Sequence, residues 1–132
     1  MFIDGGEKSE DYFRLDAQSI QNAIKTEAVI VNVSNIPFQP LNFLSSEQDS
    51  FEEDDLIAFA WNKFLKQGAK QKDVEWLPRF PMTRAIVRAM DLAQEIVLQN
   101  DIVVKDFVVS GASKRGWTAW TTAAVDSRVC LL

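Results

Sequence analysis

A serine surrounded by small residues lies at a predicted junction between a strand and a helix. The predicted strand 102–109 leads into the residues SGASKRG at 110–116, and a helical pattern follows over 117–125. Small residues next to the serine allow the strand and the helix to pack closely, with the serine in a strained turn between them. Such a serine would lie at the carboxyl edge of a sheet, where open α/β sheets bind ligands, and at a helix N-terminus that can stabilise an oxyanion.

The spacing in this segment leaves two interpretations of Ser113 open. The glycines give the pattern G-x-S-x-x-G, because Arg115 stands where the nucleophile pattern G-x-S-x-G has its second glycine. Ser113 is therefore a candidate nucleophile, whereas the residues alone favour a simple helix N-cap. A phosphate cradle is a weaker match, since the P-loop pattern is missing.

Composition restricts the chemistry of the chain. The 132 residues contain 14 Lys and Arg, 19 Asp and Glu, no histidine and one cysteine, and the net charge is −5. Without histidine the chain cannot hold a histidine-based triad or an imidazole metal site, and we predict neither a metal nor a cofactor. The scattered basic residues argue against nucleic-acid binding. No apolar stretch is long enough for a membrane span, and Cys130 cannot form an internal disulfide.

The remaining elements predict an α/β fold with a parallel sheet and flanking helices. A short strand at the start precedes a helix over 17–26, and the β-branched run 28–33 predicts a strand buried on both faces. Ser50 and Glu53 predict a capping box for a helix that ends at Gly68, and the acidic cluster 52–55 fits the helix dipole better than a metal site. Pro81 predicts the start of a helix with Met82, Ile86 and Met90 in the core.

The serine block and other segments together resemble the PhoPQ-activated pathogenicity-related protein family. The block is GASKRGWT at 111–118, followed by Trp120, AAVD at 123–126 and Arg128-Val129. Further matching segments, in chain order, are FIDGG at 2–6, QPL at 39–41, EDDLIA at 53–58, EWL at 75–77, PM at 81–82 and RAMD at 88–91. The resemblance implies an α/β-hydrolase-like fold, and secretion of the parent protein.

The resemblance also implies roles for individual residues. Ser113 would be the nucleophile, the backbone N–H of Lys114 one oxyanion donor, and the Gly5-Gly6 turn the source of the second donor. Arg115, with Lys114, would add positive charge for a substrate that bears a carboxylate or a phosphate. Solvated charge on the first helical turn is an equally good interpretation of these two residues.

We expect the 132 residues to be a single partial domain, a fragment that lacks the later strands with the acid and the histidine. The parent would then be a serine hydrolase acting on an ester or amide, small molecule or peptide, and the fragment would be inactive. The alternative is a secreted signalling or binding protein that keeps the fold without turnover, because the family includes proteins like the autocrine proliferation repressor. An unpaired edge at strand 102–109 predicts self-association.

Overall fold

The computed structural model describes residues 1–5, 16–44 and 50–132 of the chain, and strands and helices alternate along it. The helices are α1 (Ala17–Thr26), α2 (Glu53–Lys66), α3 (Arg79–Leu98) and α4 (Lys114–Val125), with a 3-10 helix at Gln71–Trp76. The strands are β1 (Phe2–Ile3), β2 (Asn32–Val33), β3 (Phe107–Val108), β4 (Ser110–Gly111) and β5 (Val129–Leu131). This order confirms the α/β class.

All pairings between these strands are parallel. β1 lies between β2 and β4, and β3 pairs with β5. Because β3 and β4 are nearly continuous, the segment 107–111 has neighbours on both sides. Ser110 donates its N–H to Met1 O at 3.0 Å, and Phe107 donates to Arg128 O at 2.7 Å on the other side. The prediction of an unpaired edge at 102–109 is therefore wrong, and the outer strands are β2 and β5.

The core lies between one face of these strands and the helices α3 and α4. Ile3, Phe107 and Val109 from the strand segments pack with Ile86 and Met90 of α3, and all five are nearly inaccessible to solvent. Burial of these large apolar side chains is the main favourable term for this half of the molecule. The predicted core positions Met82, Ile86 and Met90 are confirmed.

The opposite face of the strands is much less covered. Phe2 is 40% exposed and Val108 is 49% exposed, while α1 has no buried residue. α1 itself has the predicted bounds, and Asp16 caps it by accepting a hydrogen bond from Ser19 N at 2.8 Å. Its apolar side chains, Ile20 and Ile24, remain largely exposed. The helix was therefore predicted correctly although it buries no side chain against the sheet.

Four local predictions are corrected by the structure. The run 28–33 is not a strand buried on both faces, because only Asn32–Val33 pairs and Val29 is 40% exposed on the uncovered side. The strand predicted over 102–109 begins at Phe107. Ser50 and Glu53 form no capping box, since the N-cap of α2 is Glu52 and no side chain caps it. Pro81 is the third residue of α3 and does not begin the helix.

Within the described ranges, none of the helices has both the length and the apolar content that a bilayer crossing requires.

Candidate functional site

Ser113 occupies the sharp turn between β4 and α4. Its backbone has φ 53° and ψ −122°, its side chain is exposed, and it makes no side-chain capping bond to α4. A positive φ is uncommon for a residue other than glycine and persists only where the surrounding structure imposes it. Ser113 is therefore at the N-cap position of α4, but its side chain does not make the hydrogen bond to the helix for which serine is favoured there. A strained turn that presents the hydroxyl to solvent fits a nucleophile, and that role stays a prediction.

The glycines on either side of Ser113 are required by close packing between strand and helix. A Cβ at Gly111 would lie 2.8 Å from the backbone carbon and oxygen of Arg115. A Cβ at Gly116 would lie 3.0 Å from Gly111 O, which is tighter than ordinary van der Waals contact. The helix residue that packs against the backbone of β4 is therefore residue 116, which fits a second glycine at that position and the G-x-S-x-x-G spacing.

The turn after β1 and the Ser113 turn follow neighbouring parallel strands at the same edge of the sheet. The chain leaves β1 for β2 on one side and later crosses back to β4 on the other side of β1. Ligands of open α/β sheets bind at such a switch point, outside the carboxyl ends of the strands. Lys114 is the first residue of α4, so its N–H has no intrahelical acceptor.

The predicted second oxyanion donor is only partly placed by the structure. The N–H of Gly5 donates to Asp4 Oδ1 at 2.8 Å, and Gly5 O accepts from Asn35 N at 3.3 Å. An oxyanion would have to replace the Asp4 carboxylate as the acceptor of this N–H. Gly6 lies outside the described residues. The roles of Lys114, Gly5 and Gly6 as oxyanion donors stay predictions.

The guanidinium of Arg115 lies in the interior and joins α4 to the start of α2. Arg115 is 8% exposed, and its Nη1 and Nη2 donate to Glu53 Oε2 at 3.0 Å and Glu53 Oε1 at 2.7 Å. Its Nε donates to Ile36 O at 2.7 Å. The bidentate geometry makes this a strong charge-assisted contact. A substrate-binding role for Arg115 stays a prediction, and it would require the guanidinium to leave these partners.

Glu53 is the acceptor at the centre of this network. Gln39, almost completely buried, donates Nε2 to Glu53 Oε1 at 2.7 Å and accepts from Glu53 N at Oε1. The pKa of Glu53 is lowered from 4.5 to about 2, mainly by the hydrogen bonds from Arg115. Desolvation opposes this shift, and the hydrogen bonds from Lys114 and Gln39 contribute to it. Glu53 is therefore ionised throughout the neutral range and holds Arg115 in place.

Lys114 is held by the same helix start. Its Nζ lies 2.8 Å from Glu53 Oε2 and 2.8 Å from Asp54 Oδ1. Hydrogen bonds to Asp54 and then Glu53 raise the pKa of Lys114. The acidic cluster predicted as a dipole-matched helix start therefore also pairs with two cations next to Ser113. Sequence spacing could not show this pairing, because Arg115 is 62 residues from Glu53.

Arg115 also explains the glycine at position 5. A Cβ at Gly5 would collide with the guanidinium of Arg115. The turn after β1 and the first turn of α4 are thus fitted to each other directly beside Ser113.

Ser113 lines none of the three main cavities found over the described ranges. A small cavity of about 180 Å³ reaches Lys114 and Trp117, where the Arg79 guanidinium lies 3.8 Å from the centre of the Trp117 ring. A cavity of about 560 Å³ lies beside it, and the two share Pro78 and Met82. No group of three or more metal-ligating side chains occurs in the described part of the chain.

Two comparisons with known proteins found matches to this chain. The family model for PhoPQ-activated pathogenicity-related protein matches residues 1–131. Autocrine proliferation repressor protein A of Dictyostelium discoideum is 36% identical over 133 residues, which cover 98% of this chain and 26% of that protein. The chain thus spans about a quarter of this relative's length. No solved structure matches the chain. The chain therefore belongs to the PhoPQ-activated pathogenicity-related protein family.

Proposed function

We propose that this chain is the nucleophile and oxyanion half of a serine hydrolase with an α/β-hydrolase fold, acting on an ester or amide. The observation that carries the proposal is the backbone of Ser113, which is held at φ 53° between a parallel strand and a helix N-terminus with its side chain exposed. This is the geometry that a nucleophile elbow needs, because the strained turn lifts the hydroxyl away from the sheet.

The surroundings of Ser113 support the same proposal. The turn after β1 and the turn after β4 come from neighbouring strands at the switch point, so donors from both can face one reacting atom. The N–H of Lys114 supplies one donor, and the Gly5-Gly6 turn supplies the second. Arg115 and Glu53 fix the first turn of α4 against α2, which holds the Lys114 N–H in a constant direction.

The proposed reaction needs groups from outside these 132 residues. Ser113 Oγ attacks the substrate carbonyl and transfers its proton to a base, while the oxyanion accepts hydrogen bonds from the two backbone donors. The C–O or C–N bond of the substrate then breaks, and the base returns the proton to the leaving alcohol or amine. Water hydrolyses the acyl-enzyme that remains, which releases the acid and restores the Ser113 hydroxyl. Because the chain has no histidine, we propose that a histidine base, together with its acid partner, comes from the rest of the full-length protein. We propose that the full-length protein is secreted and that this chain alone has no turnover.

Fluorophosphonate labelling of the full-length protein tests the proposal. We expect labelling of the wild type, complete loss in Ser113→Ala, and unchanged labelling in the matched control Ser110→Ala, which removes a hydroxyl from β4 just upstream. Absence of labelling in the wild type, or labelling that survives in Ser113→Ala, refutes the nucleophile role. Esterase activity of the pure 132-residue chain contradicts the proposed need for an external base.

A second candidate function is a secreted signalling or binding protein that keeps this fold without catalysis. It is favoured by the relative named as an autocrine proliferation repressor. The two functions differ in their dependence on the Ser113 hydroxyl. Repression of cell proliferation by full-length Ser113→Ala at the wild-type level, together with no fluorophosphonate labelling of the wild type, supports signalling without hydrolysis.

A further inference from the structure

The 560 Å³ cavity has a volume typical of small-molecule sites. Its walls come from the loop around Phe38 and Phe43, from Trp76 at the end of the 3-10 helix, and from the facing sides of α2 and α3. Apolar and aromatic side chains make up most of the lining, and Ser113 does not contribute to it. Ser113 is therefore not part of this cavity, although the cavity adjoins the smaller one that reaches Lys114.

The aromatic walls are held in fixed positions by a ring cluster. Phe43 stacks on Phe59 with ring centres 4.7 Å apart, and Trp76 lies 5.7 Å from Phe43. Phe51 packs against both phenylalanines, at 5.5 Å from Phe43 and 4.3 Å from Phe59. Rings fixed in this way bind a ligand without first losing the rotational freedom of mobile side chains.

The charge of the lining indicates the sign of the ligand. Glu75 is the one charged residue among the lining residues, and it is exposed beside Trp76 at the end of the 3-10 helix. Aromatic faces attract cations through their quadrupole, and a carboxylate beside them adds to the attraction. Lys63 Nζ, outside the lining, lies 5.6 Å from the centre of the Trp76 ring, so a second cation would meet the Trp76 ring from the cavity, where the Glu75 carboxylate offsets its repulsion by Lys63. Quaternary ammonium groups are among the cations that aromatic rings bind in this way.

We propose that this cavity binds a small organic cation, an alkylammonium or quaternary ammonium compound with an apolar body. The cationic head lies against Trp76 and Phe43 with Glu75 at the rim, and the apolar body extends between α2 and α3. This site goes beyond the proposed hydrolase function and does not depend on Ser113.

Choline and its neutral carbon analogue 3,3-dimethyl-1-butanol are the probes for the test, since they share one shape and differ in charge. Each is titrated into the 15N-labelled 132-residue chain, and the indole N–H resonance of Trp76 is followed by NMR. The chain has four tryptophans, so the resonance is assigned with Trp76→Phe. We expect choline to shift the Trp76 resonance and to bind at least about fivefold more tightly than the alcohol. Equal affinities, or no shift of the Trp76 resonance with choline, overturn the proposal.

Two pairs of variants locate the binding. Glu75→Gln is expected to weaken choline binding by about threefold, whereas Asp73→Asn, in the same 3-10 helix but outside the lining, leaves it unchanged. Ala85→Phe fills the cavity from α3 and abolishes binding, whereas Ala89→Phe, one turn further along α3, retains it. Equal effects within either pair place the cation elsewhere and overturn the proposal. The Glu75 pair and the comparison of the two probes remain decisive if Ala85→Phe does not fold.

Discussion

Replacement of Glu53 by glutamine removes the carboxylate that holds Arg115 at the start of α4. The variant keeps the size of the side chain but replaces one of the two acceptor oxygens with an NH2 donor, so the site loses both the charge and one acceptor. Arg115 is only 8% exposed and would keep its positive charge without an ionised partner. We expect Glu53→Gln to lower the free energy of unfolding at neutral pH.

The pKa of Glu53 gives the size of this effect. A decrease from 4.5 to about 2 corresponds to roughly 3 kcal/mol at about 1.4 kcal/mol per pKa unit. The Glu53 side chain is 39% exposed, however, so solvent screening reduces the contribution. We therefore expect a loss of about 1.5 kcal/mol at pH 7, which for a chain of this length lowers Tm by about 5 °C.

The pH dependence separates this charge effect from a simple packing defect. Because folding lowers the pKa of Glu53, the folded state binds fewer protons, and the stabilisation is fully present above pH 4.5. It decreases as the pH falls from 4.5 towards 2. The difference in free energy between wild type and Glu53→Gln, measured by urea unfolding, should therefore be constant above pH 5 and should shrink below pH 4.

Asp55→Asn is the matched control, since it removes an exposed carboxylate from the same helical turn. Asp55 takes part in none of the ion pairs found in the described residues. This control should cost less than about 0.5 kcal/mol. Parallel pH profiles for wild type and Glu53→Gln, or an equal loss in Asp55→Asn, would refute the assignment of this stability to the ionised Glu53 with Arg115 and Lys114.

Three further predictions concern the serine turn and the uncovered sheet face. The free energy of unfolding of Ser113→Gly should be about 1 kcal/mol higher than that of Ser113→Ala, because only glycine adopts the positive φ without strain. Equal values in urea unfolding would contradict the presence of strain at this turn. Gly111→Ala should lower the free energy of unfolding by about 1–3 kcal/mol in the same assay, since the added Cβ would lie 2.8 Å from the Arg115 backbone. A smaller decrease would mean that α4 can move away from β4. The chain should self-associate through its outer strands and its exposed Phe2 and Val108, so Val108→Lys should shift it towards monomer in light scattering; a monomeric wild type would disprove this.

Local patterns in the sequence were sufficient to predict the helices and much of the core. The i, i+4 spacing of Ile20 and Ile24 predicts α1 with its observed bounds, and the spacing of Met82, Ile86 and Met90 predicts the buried face of α3. These features depend on contacts within one turn or on one side of a helix. The serine segment was also found this way, because small residues around Ser113 reflect the close approach of β4 and α4.

Features that depend on distant residues were not predicted. The β-branched run 28–33 was expected inside a sheet, but the described elements leave one face of the sheet uncovered, so Val29 stays exposed. Glu53 was assigned to a capping box because Ser50 lies three residues before it. The guanidinium of Arg115 is a stronger donor to that carboxylate than a helix-end amide, and no spacing rule links positions 53 and 115.

The contacts of Arg115 have a consequence for the local motions of the protein. One side chain holds the loop at Ile36, the beginning of α2 at Glu53 and, by close contact, the backbone of Gly5. If the first turn of α4 unwinds, all three segments lose a common partner at the same moment. Their amide protons would then exchange with solvent as one cooperative unit, although the segments are far apart in the chain.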